Sequence, residues 1–262
     1  MGQHDLSGQS AVVTGSSRGI GSAIALELAR CGASLTLTGR DSAALAVIAD
    51  SIEKESGRRA VVVVCDLREQ GAARGIVDAA LKAHGRLDIL VNNAGATKRG
   101  DFLTLADEDF LDGFALKFHG AVRMTRAAWP HLTTAKGKLV NIVGIGSLTP
   151  ARDFTIGGPV NSALINFTKA MADRGLADGV RVNAVNPGHR VPDRLRRRVE
   201  ALAKAEGISY AEAEEHSRNE HGILRFGEPE EIAHLVAFLC SDRATYIHGS
   251  TIEIDGGATK GL

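Results

Sequence analysis

The sequence predicts an α/β protein in which helices cover both faces of a parallel β-sheet. Short apolar runs alternate with amphipathic helical patterns through most of the chain, and this alternation is typical of strands joined by crossover helices. Polar and glycine-rich motifs follow several apolar runs, as expected where parallel strands end beside a ligand crevice. With 262 residues, the chain is long enough for one large domain of this class.

The predicted strands are short apolar runs, which suit strands buried on both faces of a sheet. They occur at 10–14, 34–38, 60–65, 87–91, 138–143, 180–185 and 251–254. Helical patterns lie between them at 20–31, 42–56, 71–84 and 107–132, and a further helix begins near 159. In this last helix Val160, Leu164 and Phe167 share one face at helical spacing. We therefore expect about seven strands in a doubly wound sheet.

The segment 189–226 breaks this rhythm, because it is charged, helical in pattern and poor in strand signals. We see no linker or internal repeat elsewhere, so we expect residues 1–262 to form a single domain. An insertion after a strand's carboxyl end lies beside the ligand crevice of an open α/β sheet. Because long insertions in compact domains are usually functional or disordered, we interpret 189–226 as a lid. A surface excursion is the alternative.

Composition excludes several classes of protein. Thirty-one basic residues balance thirty-one acidic ones, so nothing indicates a nucleic-acid or acidic-membrane partner. No apolar run approaches membrane-spanning length, and the N-terminal stretch has no apolar signal core. The cysteines Cys31, Cys65 and Cys240 lack metal-ligand spacing and suit reduced thiols. We expect a soluble, cytoplasmic protein without a metal site.

The stretch TGSSRGIG, residues 14–21, lies between the first predicted strand and the first predicted helix. Glycines allow a tight turn and close approach to a pyrophosphate, and the helix N-terminus offers N–H groups to the anion. A plain glycine-rich turn is the alternative. Further motifs at strand ends agree with a Rossmann-like nucleotide site: Asp66, the run Asn92-Asn93-Ala94-Gly95, and the run Asn186-Pro187-Gly188.

Together these motifs resemble the short-chain dehydrogenase/reductase family, from Ser10 to about Gly257. The resemblance implies a nicotinamide cofactor, a small-molecule substrate and a homo-oligomer, a dimer or most often a homotetramer. Carried over to this chain, the cofactor-binding residues are Gly15, Ser17, Arg18, Gly19, Ile20, Gly21, Asp66, Leu67, Asn93, Ala94, Gly95, Pro187 and Gly188.

The end of the second strand predicts the choice of cofactor. A carboxylate there would bind the ribose 2′-OH and repel a 2′-phosphate, but this chain has Gly39 followed by Arg40. Arg40 and Arg18 suit a 2′-phosphate, because guanidinium groups bind phosphate oxygens in a bidentate manner. We therefore expect NADP(H) to be preferred over NAD(H). The alternative is that Arg40 only stacks on the adenine.

The family's four catalytic residues are all replaced when they are mapped by motif and spacing. The usual serine falls on Gly144, the tyrosine on Gly157, the lysine on Asn161 and the asparagine on Lys117. A tyrosine needs a nearby cation to act as an acid or base at neutral pH, and no tyrosine precedes Tyr210. The sequence therefore predicts an atypical active site without the tyrosine mechanism.

Lys117 and Asn161 reverse the family's amide and ammonium positions. We expect Lys117 to supply the local positive charge and Asn161 to hydrogen-bond the nicotinamide ribose. The alternative is that Lys117 extends into solvent. His189 is a further candidate proton donor, since histidine titrates near neutral pH. Gly157 and Gly158 offer room that a bulky substrate could occupy.

The sequence favours an NADP(H)-dependent oxidoreductase that acts on an unknown carbonyl or alcohol substrate through a non-standard acid–base group. The alternative is a non-catalytic nucleotide-binding protein, a sensor or a partner subunit. A third hypothesis is a non-redox enzyme that keeps the nucleotide site. Cofactor binding and turnover of carbonyl compounds distinguish these hypotheses.

Overall fold

A parallel sheet of seven strands forms the centre of residues 4–188 and 193–261, which the computed structural model describes. The strands are β1 (Ser10–Thr14), β2 (Ser34–Gly39), β3 (Val61–Val64), β4 (Ile89–Asn92), β5 (Lys138–Ile142), β6 (Arg181–Pro187) and β7 (Thr251–Ile254). Their order across the sheet is β3-β2-β1-β4-β5-β6-β7, and every neighbouring pair is parallel. The predicted fold class is confirmed.

Helices cover both faces of this sheet. They are α1 (Gly19–Arg30), α2 (Ser42–Ser56), α3 (Ala72–His84), α4 (Asp107–Gly113), α5 (Gly120–Ala135), α6 (Gly157–Asp178), α7 (Asp193–Glu206), α8 (Tyr210–His221) and α9 (Pro229–Cys240). Successive residues of β1 enter different cores, because strand side chains alternate between faces. Val13 packs in the core of α1, α2 and α9, whereas Val12 packs in the core of α3 and α5.

The predicted single helix at 107–132 is wrong in its interior. The chain forms α4, then a π-helical turn at Phe114–His119, and then α5. Glycines flank the turn, and a Cβ on Gly113 would lie 2.6 Å from Ile156 Cγ2. Hydrophobic periodicity does not distinguish π-helical from α-helical bonding over one turn, so the pattern at 107–132 does not predict this break.

Helix α9 was missed, although its start carries a local signal. Pro229 stands in its first turn, and Glu231 accepts from the backbone N–H of Glu228 at 2.8 Å, an arrangement typical of helix starts. Its apolar face joins the core beside α1.

The described part of the segment 189–226 is helical, as predicted. Helices α7 and α8 pack against each other, and Val199 and Ala213 are buried. Ser209 precedes α8 and forms a capping box with Glu212. The Ser209 hydroxyl accepts from the Glu212 N–H, and the Glu212 carboxylate accepts from the Ser209 N–H. The lid function stays a prediction.

The three cysteines are free thiols. Burial raises the pKa of Cys31 to about 11 and that of Cys240 to about 12, so both stay protonated at neutral pH. In the described ranges, no helix has both the length and the apolar character needed to cross a membrane.

Candidate functional site

A cleft of about 880 Å³ opens at the carboxyl edge of the sheet. It is lined by all the predicted cofactor residues except Asn161, Pro187 and Gly188. It also reaches Lys117, so one cleft joins the predicted nucleotide end to a predicted catalytic residue. The roles of these residues stay predictions.

The glycine loop at the start of this cleft is tied to β4 through Thr14 and Asn93. Thr14 Oγ1 accepts from the N–H groups of Asn93 and Ala94, both at 2.9 Å. The Asn93 side-chain amide donates to the carbonyls of Thr14 at 2.9 Å and Gly15 at 3.1 Å. A Cβ on Gly15 would lie 2.8 Å from Ala94 Cα. The loop therefore requires glycine there because two backbone segments nearly touch.

The N-terminus of α1 faces this loop. Arg18 is its N-cap residue and makes no capping hydrogen bond, and the first turn holds no acidic side chain. Backbone N–H groups at such a helix start, together with the positive end of the helix dipole, favour an anion.

The adenine end of the cleft carries Gly39, Arg40 and Asp66. The Arg40 side chain is 60% exposed, and its Nη1 lies 3.8 Å from Asp66 Oδ2. A Cβ on Gly39 would make only ordinary contacts, the nearest at 3.5 Å from Ser17 Oγ. The site therefore has space for a side chain at 39 but presents a guanidinium next to it.

Arg68 holds the Asp66 carboxylate through two hydrogen bonds. The Arg68 N–H donates to Oδ1 at 2.9 Å, and its Nη1 donates to Oδ2 at 2.8 Å. Burial acts to raise the pKa of Asp66, but these hydrogen bonds outweigh it, so the pKa lies below its usual value. Asp66 is therefore an ionised acceptor at neutral pH.

Lys117 projects from the π-helical turn into the cleft. Its Nζ donates to the carbonyl of Val143, just past β5, at 2.5 Å. The stem packs on Gly95, where a Cβ would lie 2.7 Å from Lys117 Cδ. The structure thus places the ammonium against the end of the sheet, not in bulk solvent.

Asn161 lies behind the loop that follows β5 and is 3% exposed. Its amide nitrogen donates to the Gly144 carbonyl at 3.2 Å. Ser147 donates to the same carbonyl at 3.1 Å, and the Gly144 N–H donates to Asn186 at 2.9 Å. These bonds hold Gly144 at φ +140°, a conformation that favours glycine. In the structure Asn161 thus holds this loop through its hydrogen bond to the Gly144 carbonyl.

The space beside Gly157 is not open, so the expected room for a bulky substrate is wrong at this point. A Cβ on Gly157 would collide with the ring of Phe154, and one on Gly146 would lie 2.6 Å from Phe154 Cε1. The Arg99 guanidinium covers this ring, 3.9 Å from its centroid, and pairs with both carboxylate oxygens of Asp153 at 3.1 Å. A side chain from a neighbouring loop thus fills the volume next to the glycine.

The other predicted residues have mixed outcomes. His189 lies outside the described residues. Pro187 ends β6, and Gly188 packs so closely on Asp255 that a Cβ would lie 2.5 Å from Asp255 Cα. Sequence reasoning missed Thr38, Cys65, Ala96, Leu116, Ile142, Val143 and Pro229 as cleft-lining residues. Thr38, Cys65 and Ile142 stand at strand ends, where this position alone could have indicated them.

Comparisons with known proteins agree with this architecture. A family model described as enoyl-(acyl carrier protein) reductase matches residues 15–259. An uncharacterized oxidoreductase of Mycobacterium tuberculosis is 34% identical over 253 residues, which are 95% of this chain and 91% of that protein.

Two solved structures are similar over nearly the whole chain. L-sorbose reductase from Gluconobacter frateurii, in complex with NADPH and L-sorbose, is 33% identical with a TM-score of 0.93 and full coverage of both chains. A short-chain oxidoreductase from Pseudomonas aeruginosa PAO1, described as containing an atypical catalytic center, is 30% identical with a TM-score of 0.92. That match covers 99% of this chain and 100% of the other.

Proposed function

This chain belongs to the short-chain dehydrogenase/reductase family, and on that premise we propose an NADP(H)-dependent oxidoreductase that interconverts a carbonyl compound and its alcohol. The observation that carries the proposal is the charge of the cleft. The start of α1 has no acidic residue in its first turn, and Arg40 follows β2 where a carboxylate would repel a 2′-phosphate.

The residues that line the cleft fit NADPH by their chemistry. The N–H groups of α1 suit the pyrophosphate, and Arg18 and Arg40 suit the 2′-phosphate. Asp66 is an ionised acceptor for the adenine amino group. When bound, NADPH supplies the hydride for the carbonyl carbon. The NADPH complex of the similar L-sorbose reductase supports this choice.

We call the part of the cleft lined by Lys117 and Val143 the reactive end. We assign the role of proton donor there to Lys117, because Gly144 and Gly157 provide no side-chain donor. Lys117 lines the nucleotide cleft and holds its ammonium 2.5 Å from the Val143 carbonyl. A cation at this place stabilises negative charge that develops on a substrate oxygen and can donate a proton to it. Asn161 keeps its proposed role toward the nicotinamide ribose only if its buried amide rotates from Gly144. His189 is the second proposed donor.

The atypical catalytic center described for the similar Pseudomonas aeruginosa oxidoreductase supports a departure from the tyrosine mechanism. The proposal extends to a single domain with a lid at 189–226, a homo-oligomer, and a cytoplasmic location. Helices α7 and α8, which follow the carboxyl end of β6, support the lid.

A fluorescence titration of the purified protein with NADPH and with NADH tests the cofactor assignment. We expect NADPH to bind at least about tenfold more tightly than NADH, since one additional charge-assisted phosphate contact contributes about 1.5–3 kcal/mol. Tighter binding of NADH would overturn the preference, and no binding of either would overturn the function.

A panel of ketones, aldehydes and sugars then tests turnover with NADPH. We expect at least one carbonyl compound to oxidise NADPH in proportion to product formed. Tight NADPH binding with no turnover across a broad panel would favour a sensor or partner subunit.

A further inference from the structure

Helix α4 buries little of its surface against the rest of the protein. Gly113 is its one buried residue among 107–113, all of which the structure describes. Leu111 is 69% exposed. Besides Gly113 and the half-buried Phe110, two ion pairs tie α4 to neighbouring segments. Asp109 pairs with Lys98 at 2.8 Å, and Asp112 pairs with Arg68.

The Arg68–Asp112 pair combines a close ion pair with one hydrogen bond. Arg68 Nε lies 2.5 Å from Asp112 Oδ1, and Nη2 donates to Oδ2 at 3.0 Å. The charge-assisted hydrogen bond from Nη2 gives the pair a fixed direction. The Asp112 side chain is 55% exposed and that of Arg68 is 26% exposed, so the pair lies at the protein surface beside the cleft.

The same Arg68 side chain holds Asp66 in the cleft, with Nη1 at 2.8 Å from Oδ2. Arg40 Nη1 lies 3.8 Å from that oxygen. A continuous series of charges therefore runs from Arg40 through Asp66 and Arg68 to Asp112 on α4. Helix α4 leads directly into the π-helical turn that carries Lys117.

We propose that Arg68 and Asp112 are positioning residues that couple a nucleotide at the adenine end to the placement of α4 and Lys117. The inference rests on the proposed NADP(H) site. A nucleotide over Asp66 excludes water from the Asp66–Arg68 hydrogen bonds and so strengthens them, and this fixes the guanidinium that also holds Asp112. Binding at one end then holds the helix that delivers the ammonium at the other.

The test uses adenosine 2′,5′-bisphosphate, which carries the adenine end of NADP(H) but no nicotinamide. Calorimetry measures its binding, and hydrogen exchange follows the amides of 107–113 with and without it. No residue of α4 lines the cleft, so slower exchange there requires transmission. We expect about fivefold slower exchange at saturation, a typical coupling between sites.

Two matched variants separate this coupling from simple support of α4. Asp112→Ala removes the pair with Arg68. Asp109→Ala, on the same helix, removes the pair with Lys98 and the cap on the Ala106 N–H. Alanine is the better helix former, so unfolding of α4 does not explain a lost response in Asp112→Ala. We expect Asp112→Ala to lose the slowing and bind the bisphosphate about fivefold more weakly. Asp109→Ala should keep the slowing, whatever its basal exchange rate.

Binding of the bisphosphate without slower exchange in the unmodified protein overturns the coupling alone, as does an unchanged response in Asp112→Ala. Loss of the response in both variants also overturns it, because general support of α4 then suffices. Failure of the bisphosphate to bind overturns the NADP(H) assignment, and the coupling with it.

Discussion

The glycine loop at the start of the cleft and the first turn of α6 both depend on glycine, but for opposite reasons. At the nucleotide end, Gly15 lets two backbone segments approach, and Thr14 and Asn93 bond them together. In the first turn of α6, Gly157 has no side chain because the ring of Phe154 occupies the adjoining space. Glycine thus marks a site built for a ligand in the first case, and a site filled from a neighbouring loop in the second.

This difference shows which part of the site depends on side-chain chemistry. Backbone N–H groups and close packing build the nucleotide end, whereas a proton donor must be a particular side chain at a particular place. Lys117 lines the same cleft from a different element, the π-helical turn, and its role as proton donor in place of Gly144 and Gly157 is our proposal. Four sets of substitutions test this division.

Replacement of Lys117 by Met should lower turnover with the best carbonyl substrate by about 10²–10⁴-fold, the usual range for loss of an acid–base group. NADPH affinity should change little, because the nucleotide end keeps its own contacts. Steady-state kinetics and fluorescence titration measure the two effects. Lys82→Met, at an exposed position of α3, is the control. Unchanged turnover in Lys117→Met would remove Lys117 from the mechanism.

Gly157→Tyr should destabilise the protein by about 3 kcal/mol, because the new side chain must displace the Phe154 ring. In the double variant with Phe154→Ala, the total loss should be smaller than the sum of the two single losses, since one change relieves the other. Denaturant unfolding measures all three variants. Strict additivity would show that Phe154 does not fill this space in solution.

Gly21→Ala should cost about 2 kcal/mol of unfolding free energy and weaken NADPH binding, because a Cβ there collides with the Gly15 carbonyl and the Asn93 side chain. Gly75→Ala is the matched control. Gly75 also lies in a helix, and a Cβ there meets nothing within 4 Å, so this change should be neutral or stabilising by up to about 1 kcal/mol. Equal effects at both positions would contradict the close packing of the loop.

Gly39→Asp should weaken NADPH binding by about tenfold through charge repulsion with the 2′-phosphate, and NADH binding should be retained. The backbone tolerates the change, since a Cβ at 39 makes ordinary contacts only. Gly39→Ala adds the same Cβ without charge and should leave both affinities unchanged. A parallel loss for NADH and NADPH in Gly39→Asp would indicate a steric effect and not phosphate recognition.

Local patterns predicted most of the fold. The strands at 10–14 and 251–254 and the helix at 42–56 have the predicted bounds, because apolar runs between turn residues carry a strong local signal. Helix α9 also had a signal, in Pro229 and its capping box. These residues are enough to predict the start of a helix there.

The site divides in the same way. The motif at 14–21 and the residues that follow β3 and β4 line the cleft as expected, since the carboxyl ends of parallel strands meet at one edge. Phe154 escaped prediction because nothing in its local sequence indicates that its ring lies against Gly146 and Gly157. The Arg68–Asp112 pair joins residues 44 positions apart, so no local sequence pattern predicts it.

Residue type, short-range spacing and strand order are enough to predict the parallel α/β architecture, and they bring the glycine motif and the residues after β3 and β4 to one edge of the sheet. The sequence also shows that no tyrosine precedes Tyr210. Three contacts are visible only in the folded structure: Lys117 enters the cleft from a π-helical turn, Phe154 fills the space at Gly157, and Asn161 holds Gly144. Their geometry depends on how the loops pack once the sheet has formed, even where the two residues are close in sequence, as Phe154 and Gly157 are.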